Sequence, residues 1–387
     1  MTEADWTELP YDILDLIATR LPFLSDHIRF GAVCKWWKSV ANANPRPPNL
    51  EFPWLALFHK RTLHNTTNQA LYSPLEAKLR LIDIPDRSQR CIGSSDGWLA
   101  FVDDSLSFHL FNPLSGEAID HLPNLSWTEN PNSGMNLSHS SLRKAIWSKN
   151  PRHPDFIIVI LCEQFFGFVY WKQGEKRWTM VQPSFSLVSD AIFYKEKLYF
   201  VNGFSGDVVA MDLLHQEQEM VMMPLLEDFD AQRHRNKYLA IGPSGLLFIG
   251  RRFALQDKRE FRDGEVCVTV FYKTTMFEVF ELDEGVMRWT RARSLRGGML
   301  FLGLNASMWI ASQGWEGCKE DSIYFTDDNY NWHIFRSLVR FDGPAVLSRE
   351  YGYDSGVFRL GDGAIELIFN DRGLMYPFLV WVVPNPW

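Results

Sequence analysis

Disulfide frameworks, basic tracts and membrane-length apolar runs are all missing from this chain of 387 residues. Its cysteines, Cys34, Cys91, Cys162, Cys267 and Cys318, stand singly, with no CxxC pair. That spacing excludes the usual zinc-ribbon sites and argues against a disulfide-stapled fold. Asp and Glu number 47 against 39 Lys and Arg, a net charge of −8. The nearest thing to a basic block, RRFALQDKREFR (251–262), interleaves its cations with Asp257 and Glu260. A nucleic-acid footprint needs a denser stripe, so no nucleic-acid partner is expected and the stretch reads as a solvated loop. The longest apolar runs, FIIVILC (156–162) and LMYPFLVWVV (374–383), fall well short of the roughly 20 residues that cross a bilayer, and Pro377 interrupts the second. The start, MTEADWTELP, is acidic and lacks the apolar core of a signal peptide. The expectation is a protein of the cytoplasm and/or nucleus with no membrane partner. The N-x-S/T sequons at Asn65, Asn124, Asn136 and Asn305 then read as chance matches.

Catalytic signatures are missing as well. The sequence holds no GxGxxG, Walker loop, HExxH or GxSxG. The ten histidines are dispersed, and those in RHP (152–154) and QRHRN (232–236) read as parts of polar loops. FTDDNYNWH (325–333) groups Asp327, Asp328, Asn329 and His333, a composition that could hold a cation. A turn whose Asp and Asn side chains cap their own backbone is the preferred reading. Trp315, among glycines in SQGWEGCKE, is assigned to core packing ahead of partner anchoring. The expectation is a non-enzyme with no catalytic residues, no metal and no cofactor.

What the chain has in quantity is aromatic surface, 15 Trp and 29 Phe. Aromatic enrichment favours strands. From about residue 50 onward, short β-runs alternate with Gly, Asp, Asn and Pro turns. A strand–polar turn–strand unit recurs as FNPLSGEAIDHLP ending at Pro123, YWKQGEKRWTMVQP at Pro183 and MDLLHQEQEMVMMP at Pro224. Further copies are FELDEGVMRWTRARS at Ser294, FRLGDGAIELIF at Phe369 and LRLIDIP at Pro85. A four-stranded propeller blade needs roughly 40–50 residues, so the longer intervals imply loop insertions. Six units predict an all-β propeller of about six blades, with seven as the alternative count and a β-sandwich pair as the alternative architecture. The last strand, YPFLVWVV, is expected to pair near FPWLALF (52–58) and close the ring.

The first 44 residues follow a different period. Leu9, Ile13, Leu14, Ile17 and Leu21 are spaced helically, with Pro10 in the first turn and Pro22 as the stop. Ser25 is a candidate N-cap for a second helical segment carrying Ile28, Val33, Trp36, Trp37 and Val40. About 40 residues make a poor free-standing core. NPRPP (44–48) reads as a semi-rigid spacer, so a partner helix in an apolar groove is the expected outlet for the stripe.

The segment DWTELPYDILDLIATRL…SDHIRFGAVCKWWKSVA resembles an F-box in its Leu9–Pro10 start, its Ile13/Leu14/Ile17/Leu21 stripe and its VCKxW core of Val33, Cys34, Lys35 and Trp37. SSDGWLAFVDD…LFNPLSGEAIDHLP, GCKEDSIYFTDDNY and SGVFRLGDGAIELI resemble the β-rich, kelch-like C-terminal domain of plant F-box proteins. The resemblance implies an F-box of about three helices over residues 5–44, a linker over 45–51 and a propeller-like substrate-recognition domain over 52–387. It implies that Leu9, Pro10, Ile13, Leu14, Ile17 and Leu21 contact a Skp-type adaptor, joined by Val33, Cys34 and Trp37, some of which hold the helices together. Trp36 is off the pattern and is expected to face the linker or the propeller. The implied partners are the adaptor, through it a cullin–RING ligase, and an unidentified protein substrate. A non-degradative F-box scaffold or blocker, or a propeller binding a small ligand, are the alternative readings.

Overall fold

The fold was read from a computed structural model that describes residues 6–21, 24–43, 52–58, 69–82, 89–126, 128–129, 137–163, 167–183, 187–213, 221–223, 229–231, 233–262, 265–312, 315, 318–328, 354–368 and 379–385. Three short helices, α1 (Tyr11–Ala18), α2 (Leu24–Gly31) and α3 (Lys35–Ala43), precede a six-bladed β-propeller. The Ser25 side chain, Pro22 and the proline-rich 44–51 lie outside the described residues.

Blade 1 joins Trp54–Leu57, Gln69–Ser73 and Lys78–Ile82 to the chain's last strand, Leu379–Val382. That strand runs antiparallel to the first, Trp54 opposite Val382 and Leu57 opposite Leu379, so the ring closes as the sequence predicts. Blade 2 spans Arg90–Ile119, blade 3 Leu142–Val181, blade 4 Val188–Met223, blade 5 His234–Ala292 and blade 6 Gly298–Glu366. The inner strands Leu379–Val382, Arg90–Ser95, Leu142–Trp147, Val188–Tyr194, His234–Gly242 and Ser307–Ala311 stand side by side around the axis. Each recurring unit of the sequence ends just after the outermost strand of one blade or, in blade 3, after the strand next to it, so one unit falls in each of the six blades.

The uneven spacing has identifiable sources. Between blades 2 and 3 the chain adds Thr128–Glu129 as a parallel fifth strand covering the outer edge of blade 3. In blade 6 Ser307–Ala311 is inserted on the inner side, which leaves Gly298–Leu302 parallel to Ser322–Phe325. The largest departure is in blade 5. RRFALQDKREFR, expected as a loop, is strand, because Gly245–Arg262 and Glu265–Asp283 pair from Leu247↔Glu281 out to Arg262↔Glu265, with one register shift between Arg252 and Phe253. The charges that broke the loop-or-strand pattern belong to a two-stranded ribbon standing beyond the blade.

Apolar side chains fill the space between blades. Trp98, Trp178, Trp289 and Trp381 are fully buried there. Trp315 stacks edge-on against Phe52 at 5.2 Å, a packing role. Asn305 is buried and donates to the Trp381 carbonyl at 2.9 Å, so this sequon is structural. Ile28 of α2 packs against the Trp54/Ala56/Phe101 cluster of blades 1 and 2. The helical unit therefore touches the propeller rather than standing apart from it.

Candidate functional site

Part of the apolar stripe forms a core of the helical unit, while Ile13, Val33 and Trp36 are left outward. Leu14, Ala18, Phe30, Val40 and Ala41 are buried together, flanked by the partly buried Leu9, Ile17, Leu21 and Trp37. Helix α1 starts where the Pro10 carbonyl accepts from the N–H groups of Ile13 and Leu14 at 3.2 and 3.1 Å. It ends at Thr19, whose hydroxyl donates to the Asp15 carbonyl at 3.0 Å. Helical spacing alone could not say which side of the stripe is inward; the placement of α3 decides it.

That decision splits chain neighbours. Leu14 is 0 % exposed, whereas Ile13 is 45 % and Val33 49 % exposed. Pro10 is exposed and Cys34 half-buried. The structure adds outward residues that the motif did not single out: Trp6, Tyr11, Leu16 and Trp36. Leu16 stands one turn from Ile13 on the same helix face, a signal available in the sequence.

Among the described residues Trp36 packs on the segment leading into α1 and not on the propeller; the linker lies outside them. Its indole N–H donates to the Leu9 carbonyl at 3.1 Å and its ring tilts against Tyr11 at 6.2 Å. Trp37 donates to the Trp6 carbonyl at 3.1 Å and packs on Phe30 at 4.6 Å. The adjacent tryptophans of α3 thus hold the segment leading into α1. Left outward are the apolar side chains of Pro10, Ile13, Leu16, Val33 and Trp36, on a unit already filled inside. Exposed apolar patches of this kind mark interaction surfaces.

The propeller presents the opposite arrangement, with polar clusters sealed inside. Arg251 is fully buried between blades 5 and 6. It donates to Asp328 at 2.7 Å, Asp354 at 2.9 Å, Thr274 at 2.8 Å and the Thr326 carbonyl at 3.0 Å. Burial opposes its charge, but Asp328, Tyr238 and Asp354 outweigh that and hold its pKa above the ordinary guanidinium value. Asp328 also accepts from Asn236 at 2.8 Å and from the Tyr238 hydroxyl. Its carboxylate therefore serves Arg251, neither a cation nor a self-capping turn; Asn329 and His333 lie outside the described residues.

Near the axis Lys144 donates to Asp190 at 2.6 Å and Ser307 at 3.0 Å, joining blades 3, 4 and 6. Pairing slips by one residue between Val188 and Asp190, a bulge that accompanies the inward placement of Asp190. Lys237 donates to the carbonyls of Gly203 at 2.5 Å and His234 at 2.7 Å. Burial alone lowers its pKa from the lysine value of 10.5 to about 8. His234, expected in a polar loop, is fully buried on the inner strand of blade 5, 2.6 Å from Glu278. Burial lowers its pKa despite that carboxylate.

Burial pushes the thiols of Cys91 and Cys162 up to about 12 and that of Cys318 to about 11, so these are inert packing groups. A surface cleft of about 250 Å³ between blades 3 and 4 is lined by Lys149, Asp155 and Glu196, which pair with one another at 3.6 and 3.7 Å. Among the described residues no three His, Cys, Asp or Glu side chains converge as a metal site.

Comparison with known sequences places these features in context. The sequence model of the KIB1-4 β-propeller matches residues 71–358. The F-box/kelch-repeat protein KIB1 of Arabidopsis thaliana is 25 % identical over 390 residues, covering 95 % of this chain and 91 % of the relative. The F-box protein At2g17036 of the same plant is 22 % identical, over 99 % and 94 % of the two chains. The F-box protein At2g26160 is 23 % identical, over 88 % and 99 %. The match to At2g17036, at 99 % of this chain, takes in the helical start as well as the propeller.

Proposed function

Because the chain belongs to the KIB1-4 β-propeller family, we propose that it is the substrate-recognition subunit of a Skp–cullin–F-box type ubiquitin ligase. The helical unit docks on a Skp-type adaptor and the propeller captures the protein to be ubiquitinated. The chain itself forms and breaks no bonds. Its contribution is proximity: one partner held at each end raises the effective concentration of a substrate lysine near the ubiquitin-transfer machinery. It acts in the cytoplasm or nucleus.

The observation that carries this reading is the outward set Pro10, Ile13, Leu16, Val33 and Trp36 on a unit whose interior is complete without it. Leu9, Ile17, Leu21 and Trp37 are partly buried against the helical core, Cys34 is half-buried, and Leu14 lies inside the core. The test is co-expression with a Skp-type adaptor followed by size-exclusion chromatography. The wild-type chain is expected to elute as a one-to-one complex, and Ile13→Asp with Leu16→Asp to elute alone with its propeller folded. A double variant that still co-elutes would overturn the reading. Leu14→Asp is unsuited to the purpose, since it places a charge in the helical core.

A further inference from the structure

One turn occurs twice in the propeller, as NPLSGE (112–117) in blade 2 and as NGFSGD (202–207) in blade 4. The two copies are hydrogen-bonded alike. The Asn112 N–H donates to the Glu117 carbonyl at 2.9 Å, and the Asn202 N–H to the Asp207 carbonyl at 2.8 Å. Gly116 and Gly206, both at positive φ, donate back to the Asn112 and Asn202 carbonyls at 2.9 Å. Each asparagine side chain accepts from the N–H two residues on, Leu114 at 3.0 Å and Phe204 at 2.9 Å. Both copies thus present a large apolar side chain at the third position and an acid at the last.

Their surroundings differ. In blade 2 Leu114 packs against the Trp54, Ala56 and Phe101 cluster, which also takes Ile28 of α2, and Glu117 pairs with Arg152. In blade 4 Phe204 is 62 % exposed. Among the described residues Asp207 meets no cation, and its carboxylate accepts from the Ser205 hydroxyl at 2.6 Å. The blade 4 turn keeps its shape without the ring of Phe204. Gly203 donates to the Leu187 carbonyl at 2.8 Å, and its own carbonyl accepts from Lys237 at 2.5 Å. An aromatic carried on a backbone already fixed loses little freedom when a partner covers it.

The two copies also lie at opposite ends of the ring. Asn112 donates to the carbonyl of Asn385, just past the inner strand Leu379–Val382, so Leu114 is at the end where inner strands finish. Leu187, bonded to Gly203, just precedes the inner strand Val188–Tyr194, so Phe204 is at the end where they start. The helical unit and Phe204 therefore face different sides of the propeller.

We propose that Phe204 and Asp207 contact a helix of the captured protein, one carrying an aliphatic side chain and, one turn away, a lysine or arginine. The aliphatic group does for Phe204 what the Trp54 cluster does for Leu114, and the cation does for Asp207 what Arg152 does for Glu117. A helix delivers both groups on one face at a spacing of three or four residues. Helix α2 is the chain's own example of a helix laid against the cluster behind such a turn. That the helix belongs to the protein to be ubiquitinated rests on the ligase reading above; the contact itself does not.

The probe is a short, lactam-stapled, fluorescein-labelled helix with one leucine and, four positions on, one arginine. Anisotropy is read as the full chain is added. Saturable binding is expected, and Phe204→Ser weakens it by at least about tenfold. Asp207→Lys also weakens it, and a copy of the probe with glutamate for arginine binds Asp207→Lys more tightly than the wild type. Phe204→Ser leaves the unfolding midpoint unchanged, whereas Leu114→Ser, the same position in the packed copy of the turn, lowers it. A probe that does not bind saturably overturns the proposal, as does binding indifferent to Phe204→Ser and to the charge swap. A dimer in sedimentation equilibrium that Phe204→Ser dissociates overturns it too, because the occupant is then a second copy of the chain. Adaptor co-elution is read separately. Phe204-dependent binding by a chain that takes no adaptor leaves the contact standing and removes the ligase reading.

Discussion

Ile13 and Leu14 are chain neighbours in the helical unit, one about half exposed and the other fully buried, whereas Leu379, Val380, Trp381 and Val382 in the closing blade are all buried. The difference follows from how each region meets its surroundings. A single layer of short helices has one inner side, and whatever lies on the other must face water or a partner. The closing strand Leu379–Val382 is covered on both faces by the neighbouring blades, so it is apolar at every position. Polar residues follow the same logic in reverse. In the helical unit His27 alone of the described polar residues is buried, its ring bonded to the Ala41 carbonyl, whereas in the propeller Arg251, Lys144, Lys237 and His234 are taken inside, each with its acceptors. One region leaves apolar side chains outward, and the other takes charged ones inward.

The largest test of that contrast is Arg251→Met. It leaves Asp328 and Asp354 buried without their cation, which costs about 3–5 kcal/mol. Guanidinium denaturation of the full chain should show the loss as a lower midpoint for the propeller transition. Hydrogen exchange in α1–α3 should be unaffected. If the helices loosen with it, the two regions are one cooperative unit and the contrast is one of surface only.

Lys237 gives a second test, through pH. Its pKa falls from 10.5 unfolded to about 8 folded. The unfolded chain therefore binds more protons between those values, and stability rises with pH across that window. Below pH 8 both states are charged and the burial penalty is present in full, about 3 kcal/mol by the size of the shift. Unfolding measured at pH 7.5 and 9.5 should show the wild type gaining on Lys237→Met. Parallel curves would mean that the Gly203 and His234 carbonyls compensate the buried charge completely.

How much of this was legible beforehand depended on whether a feature was local. Six strand–turn–strand units and an apolar last strand are local patterns, and they foretold six blades and the closure of Trp54–Leu57 by Leu379–Val382. The blade 5 ribbon was not legible. Asp257, Lys258, Arg259 and Glu260 suggest a solvated loop, and only pairing with a strand formed around Val266–Tyr272 makes them strand. The Arg251 cluster joins residues 103 positions apart, a closeness that no spacing rule reports. In the helical unit the stripe was legible but not its inward side, so Leu16 and Trp36 were missed.

Leu14→Ala tests the helical half directly. Leu-to-Ala changes in cores cost about 2–5 kcal/mol, and the low end, about 2 kcal/mol, is expected because a thin cluster can partly collapse around the gap. Amide exchange over residues 11–43 should speed up while propeller amides keep their protection. Equal loosening in the blades would place Leu14 in a shared core, against the independent cluster of Leu14, Ala18, Phe30, Val40 and Ala41.

The smallest effect separates holding the helices together from presenting a face. Trp36→Phe removes the indole N–H that donates to the Leu9 carbonyl but keeps an aromatic ring near Tyr11. One half-exposed neutral hydrogen bond contributes about 0.5–1 kcal/mol, so α1 should fray only slightly at its start. Adaptor binding measured by calorimetry should change little with it, because an apolar ring remains on the outer face. Trp36→Ala removes ring and bond together and should weaken binding far more than it loosens α1. If Phe and Ala weaken binding equally, the hydrogen bond that sets the entry to α1 is what the partner depends on. Trp36 would then belong with Leu14 as an internal support rather than with Ile13 as a contact.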